Sequence, residues 1–99
     1  MRRELYRTNA PEFENDPRLM RVMLLLREMK KTGKRADILN EIDRLLRKVF
    51  GQVRWRLLDT RYVIQFIAFK GDIYFGRIDA ETWRIDIISI SDQPSYLEF

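Results

Sequence analysis

At Gly51 the hydrophobic repeat of this chain changes period, and that change limits what the chain can fold into. Before it, apolar residues recur every three or four positions, as on a helix with one buried side; after it they alternate, as on strands. The helical part opens at Asp16 and Pro17: an Asp accepts from free backbone N–H groups, and a Pro in the first helical position loses no bond. The pattern predicts a helix from there to about Thr32, stopped by Gly33. Leu19, Val22, Met23, Leu26 and Met29 share one arc with Leu25 at its border, while Arg18, Arg21, Arg27 and Lys31 lie opposite. Met20 and Leu24 fall on the charged side, one turn apart. A second helix, ADILNEIDRLLRKVF, places Ile38, Leu39, Ile42, Leu45, Leu46, Val49 and Phe50 on one face, with Gly51 as its stop. Glu41 and Asp43 precede Arg44, Arg47 and Lys48, an order that suits the helix dipole. The short link through Gly33 predicts an antiparallel helical hairpin.

Beyond Gly51, β-branched and aromatic runs predict strands at 53–58, 62–69, 73–78 and 83–91, with turns at DTR, KGD and DAET. Links this short allow no parallel crossover, so the sheet is expected to be an antiparallel meander in chain order. The expected fold is α+β: an N-terminal antiparallel helical hairpin packed on one face of a four-stranded antiparallel β-meander, in the order ααββββ. A single domain, 1–99, divides into an N-terminal arm (1–16), the hairpin (17–50), the sheet (53–91) and a C-terminal tail (92–99). Tyr6 and Phe13 in one arm, and Tyr96 and Phe99 in the other, are aromatics available to cover something.

Alternation places Val53, Trp55, Leu57, Val63, Ile67, Phe69, Tyr74, Ile78, Trp83, Ile85 and Ile87 on the helix-facing side of the sheet. The other side then carries Arg54, Arg56, Tyr62, Ile64, Phe66, Ala68, Ile73, Phe75, Arg77, Arg84, Asp86, Ile88 and Ile90. A one-residue slip exchanges the two faces of a strand.

Cysteine and histidine are both absent, which removes disulfides, thiolate nucleophiles, the usual zinc sites and the commonest general base. Asp72, Asp79, Glu81 and Asp86 could hold Mg²⁺ for a nuclease, but hairpin turns use such residues in any case. No cofactor, metal or small-molecule ligand is indicated, and a non-enzymatic role is expected. The longest apolar run, VMLLL at 22–26, falls far short of the roughly 20 residues that cross a bilayer. The opening MRRELYRTNAPEFEND has no apolar stretch behind its basic tip, so an intracellular protein is expected.

The net charge of +4 is unevenly placed. Arg18, Arg21, Arg27, Lys30, Lys31, Lys34 and Arg35 face only Glu28 within 18–35. Such a stripe suits phosphate backbones, although cations at the end of a helix also stabilise it without any partner. Arg54, Arg56, Arg77 and Arg84 among sheet aromatics form a second surface suited to single-stranded nucleic acid. Nucleic acid is therefore the leading expected partner. The alternative is a structural or adaptor protein that self-associates as a homodimer through Ile64, Phe66, Ile73, Phe75, Ile88 and Ile90.

Taken whole, the chain resembles the small orphan proteins of filamentous and rod-shaped viruses that infect hyperthermophilic archaea. The likeness rests on its length, the Arg-rich hairpin RVMLLLREMKKTGKRADILNEIDRLLRKVF, the missing Cys and the β-rich second half. The resemblance implies a hyperstable protein in the cytoplasm of an infected host, and it carries over no site residues.

Overall fold

The structure, a computed structural model, describes residues 3–58 and 61–94, with side chains described over 9–58 and 61–90. The elements run β1 (Arg3–Asn9), α1 (Pro11–Glu14), α2 (Pro17–Thr32), α3 (Ala36–Phe50), β2 (Gln52–Leu58), β3 (Val63–Lys70), β4 (Asp72–Asp79) and β5 (Arg84–Pro94). The fold is α+β, with the helical hairpin against an antiparallel sheet whose strands β2 to β5 follow one another in chain order.

The start of α2 and the ends of α2 and α3 lie where local chemistry requires. The Asp16 carboxylate accepts from the Arg18 backbone N–H at 2.8 Å, and Arg18 Nη2 returns to the same carboxylate at 2.7 Å. Gly33 takes φ 74° and donates its N–H to Met29 O, closing α2. Gly51, at φ 73°, closes α3 on Arg47 O. Lys70 Nζ adds a bond to Val49 O at 2.9 Å, so the end of β3 holds the last turn of α3. Leu19, Val22, Met23, Leu25, Leu26 and Met29 from α2 pack with Ile38, Ile42, Leu46, Val49 and Phe50 from α3. No helix among the described residues is long and apolar enough to cross a membrane.

The opening segment is more than an arm. Residues 3–9 form β1, which pairs antiparallel with β5 from Arg3 opposite Pro94 to Asn9 opposite Ile88, giving the sheet order β1-β5-β4-β3-β2. Residues 92–94, expected in the tail, extend β5. RELYRTN has no alternation to announce a strand, and the free edge of β5 supplies the structure instead. Ala10 continues the pairing, its N–H bonded to Ile87 O, and α1 then lays Phe13 against Phe50 and Tyr74. Tyr96, Phe99 and the turn residues Asp59 and Thr60 lie outside the described residues, as does the side chain of Tyr6.

One strand is turned over relative to the alternation reading. In β3 the core residues are Ile64, Phe66 and Ala68, whereas Ile67 is half-buried and Phe69 exposed on the opposite face. The β3–β4 turn centres on Gly71, so that Lys70 pairs with Asp72 and Ala68, not Phe69, lies opposite Tyr74. VIQFIAF is apolar at both parities, so the turn decides which set is buried. Phe66 sits opposite Gly76, and a Cβ at Gly76 would overlap its ring. The ring stacks on Phe50 at 4.8 Å, which continues to Phe13 at 5.0 Å.

Gly76→Ala is therefore expected to destabilise the protein by roughly 1–3 kcal/mol, the usual cost of overpacking. Adding Phe66→Leu should recover part of that loss in urea titrations. A Gly76→Ala protein as stable as the parent would contradict this packing.

Candidate nucleic-acid interface

The seven cations of 18–35 do not form one continuous stripe. Arg18 is spent on Asp16 and reaches Lys48 O at 3.4 Å, and Arg21 approaches Glu41 of α3 at 3.6 Å. Both side chains thus reach from α2 toward α3 on the outer side of the hairpin. Arg27 also has a structural task, since its Nη1 donates to Ala80 O at 2.7 Å and so ties α2 to the β4–β5 turn. Lys30 lies 3.9 Å from Glu81 in the same turn, a separation at which an exposed pair contributes little. Lys31 and Lys34 have no ion pair among the described residues, and Arg35 stands at the start of α3. Positive charge thus remains concentrated around the C-terminal end of α2. An open depression of about 740 Å³ there is lined by Arg27, Glu28, Lys30, Lys31 and Thr32.

Trp83 joins this group, and alternation along the strand did not reveal it. Instead of packing under the helices, it ends the β4–β5 turn at φ 58° with about half of its surface exposed. For a non-glycine residue the left-handed region costs about 1–2 kcal/mol. Asp79 holds the turn in place by accepting from the backbone N–H groups of Glu81 and Thr82 at 2.9 and 3.2 Å. The Arg27 guanidinium lies 4.3 Å from the centroid of the Trp83 ring, so the indole is fixed on one side by a cation. The signal available in the sequence was the DAETW turn next to a basic helix end, but only the turn geometry sends the side chain outward.

The sheet arginines occupy the face without helices. Arg56 donates to Gln65 Oε1 at 3.2 and 2.9 Å, Arg77 lies 3.8 Å from Asp79, and Arg84 lies 3.3 Å from Asp86. Arg54 is exposed and has no ion pair among the described residues. Of the residues expected to mediate self-association, Ile73, Phe75, Ile88 and Ile90 lie on this face, but Ile64 and Phe66 are buried under the helices. The register change in β3 puts Ile67 and Phe69 in their places. Asp79 and Asp86, considered above as metal ligands, are occupied by the turn and by Arg84.

No family model, curated protein or solved structure matches the chain. Its chemistry is read from its own side chains.

Among the described residues two carboxyls have shifted acidities, and both belong to the scaffold. The indole N–H of Trp55, donating at 2.8 Å, and then the Arg47 guanidinium hold Asp43 below the usual carboxylate range. Asp16 is lowered chiefly by its hydrogen bond from the Arg18 side chain. Burial, with Asp72 and Glu12 nearby, raises the Tyr74 hydroxyl. Because both carboxyls have folded pKa values below the unfolded value of about 3.9, they stabilise the fold above that pH. Their contribution is lost as pH falls through the folded values. The urea midpoint should therefore drop below about pH 4. Asp43→Asn should be less stable than the parent at neutral pH yet lose less on acidification, and parallel pH profiles for the two proteins would contradict the assignment.

Proposed function

We propose that the protein is a non-enzymatic nucleic-acid-binding protein whose contact surface is the C-terminal end of α2 together with Trp83. The observation that carries this reading is the half-exposed indole, held outward in a left-handed turn beside Arg27 and amid Lys30, Lys31, Lys34 and Arg35. A large exposed aromatic ring in a strained backbone position is a cost to the fold, and such costs concentrate where a ligand is met. An indole backed by a guanidinium offers a flat surface to an unpaired base, while flexible lysines reach the flanking phosphates. The geometry favours single strands, because bases in a duplex are already stacked on one another. Arg18 and Arg21 drop out of the surface, since Asp16 and Glu41 engage them.

Fluorescence anisotropy of labelled single- and double-stranded DNA and RNA, at low and moderate salt, tests the reading. Trp83→Ala is expected to weaken single-strand binding by about 1–3 kcal/mol, the worth of one stacked base. Lys31→Ala and Lys34→Ala should each lessen the salt dependence by roughly one released counterion. Binding that is absent at low salt, or indifferent to Trp83→Ala, would overturn this assignment.

A further inference from the structure

The face of the sheet turned away from the helices is organised in rows, and two neighbouring rows are apolar across three strands. Ile67, Phe75 and Ile88 form one; Phe69, Ile73 and Ile90 form the next. Phe69, Phe75 and Ile73 are 48%, 41% and 37% exposed, and no described helix covers them. The other large exposed apolar residues, Met20, Leu24 and Trp83, lie elsewhere, on α2 and in the β4–β5 turn. Beyond the apolar rows comes a polar one, with Arg56 on β2, Gln65 on β3, Arg77 on β4 and Asp86 on β5. Its positive and negative ends therefore lie on opposite sides of the patch.

We infer that this face is an isologous interface, occupied by a second copy of the same chain. A two-fold axis parallel to the strands and midway between β3 and β4 lays β3 on β4 of the second copy and β2 on β5. Each row then meets its own counterpart. Ile67 faces Phe75 of the second copy, and Phe69 faces Ile73, so that side chains of both sheets interdigitate as in a sandwich. In the polar row, Arg56 faces Asp86 and Gln65 faces Arg77 of the second copy, twice over; the contact of Asp86 with Arg84 is exposed and leaves about half of the Asp86 side chain open to a second guanidinium. An axis passing through β4 would instead oppose Arg77 to itself, a like-charge contact that costs affinity. Charge complementarity thus favours a second copy as the occupant and disfavours an axis through β4. With four isoleucines among its six apolar residues, the patch suits interdigitated packing between protein sheets better than base stacking. The surface of Trp83 and the end of α2 lies on the helix side and stays uncovered in this arrangement.

Sedimentation velocity and light scattering of the full chain over a wide concentration range provide the test. The parent chain is expected to dimerise. Phe75→Glu should raise the dimer Kd at least about a hundredfold while leaving the circular dichroism spectrum unchanged. Arg56→Asp and Asp86→Arg should each raise it about tenfold, and the two together should restore it. Within one chain these residues stand three strand spacings apart, about 14 Å, so restoration cannot come from a contact inside a monomer. A parent chain that stays monomeric at its solubility limit, its face left bare or covered by its own terminal segment, would overturn the inference. So would a dimer that survives Phe75→Glu, or one that the double exchange fails to restore.

Discussion

The contact of the Phe66 ring with Gly76 is the constraint on which the other features of the sheet depend. It locks β3 beside β4 in one register, and register decides which of two equally apolar sets of β3 goes under the helices. With Phe66 inward, Phe50 and Phe13 complete a row of rings that joins α3, α1 and the sheet. With Ile67 and Phe69 outward, the uncovered face acquires its two apolar rows. A single missing Cβ thus has consequences on both sides of the sheet. Inside, it makes room for an aromatic layer; outside, it defines a surface with apolar and charged ends.

The distribution of charge follows the same separation of structural from available groups. Cations near the start of α2 are matched by acidic side chains within reach, Asp16 for Arg18 and Glu41 for Arg21. Near its end cations outnumber acidic groups, with Glu28 and the distant Glu81 the described acidic residues beside Arg27, Lys30, Lys31 and Lys34. Part of this excess favours the helix, whose C-terminal carbonyls attract positive charge. Arg27 shows that one side chain can serve both ends, bonding Ala80 O while backing an exposed indole.

How much of this was legible in the sequence depended on whether the deciding interaction was local. The stops at Gly33 and Gly51 and the cap at Asp16 rest on chemistry within four residues, and all three stand where they were expected. The alternation of β2 was also clear, because Gln52, Arg54 and Arg56 mark its outer face. In β3, VIQFIAF offers no such mark, and the choice is made by the turn at Gly71 together with the fit of Phe66 against Gly76 across the sheet. β1 was invisible for a related reason: RELYRTN carries no alternating pattern, and only β5, far along the chain, makes a strand of that segment. Trp83 looked like a core residue because its neighbours alternate, but its positive φ takes it out of the strand.

The pairing of β1 with β5 also sets an order of events in time. A ribosome delivers residues 3–9 well before their partners, 88–94. The helical hairpin and the β2–β3–β4 ladder can form from neighbouring segments as they emerge, but the first strand must wait for nearly the whole described chain to appear. Until then its backbone groups are open to any passing edge, including that of another nascent copy. Arginines and a glutamate in RELYRTN fit that interval, since charged residues along a waiting edge discourage premature pairing. The sheet is completed only once β5 has been made, so the pairing of β1 is the last strand pairing open to it.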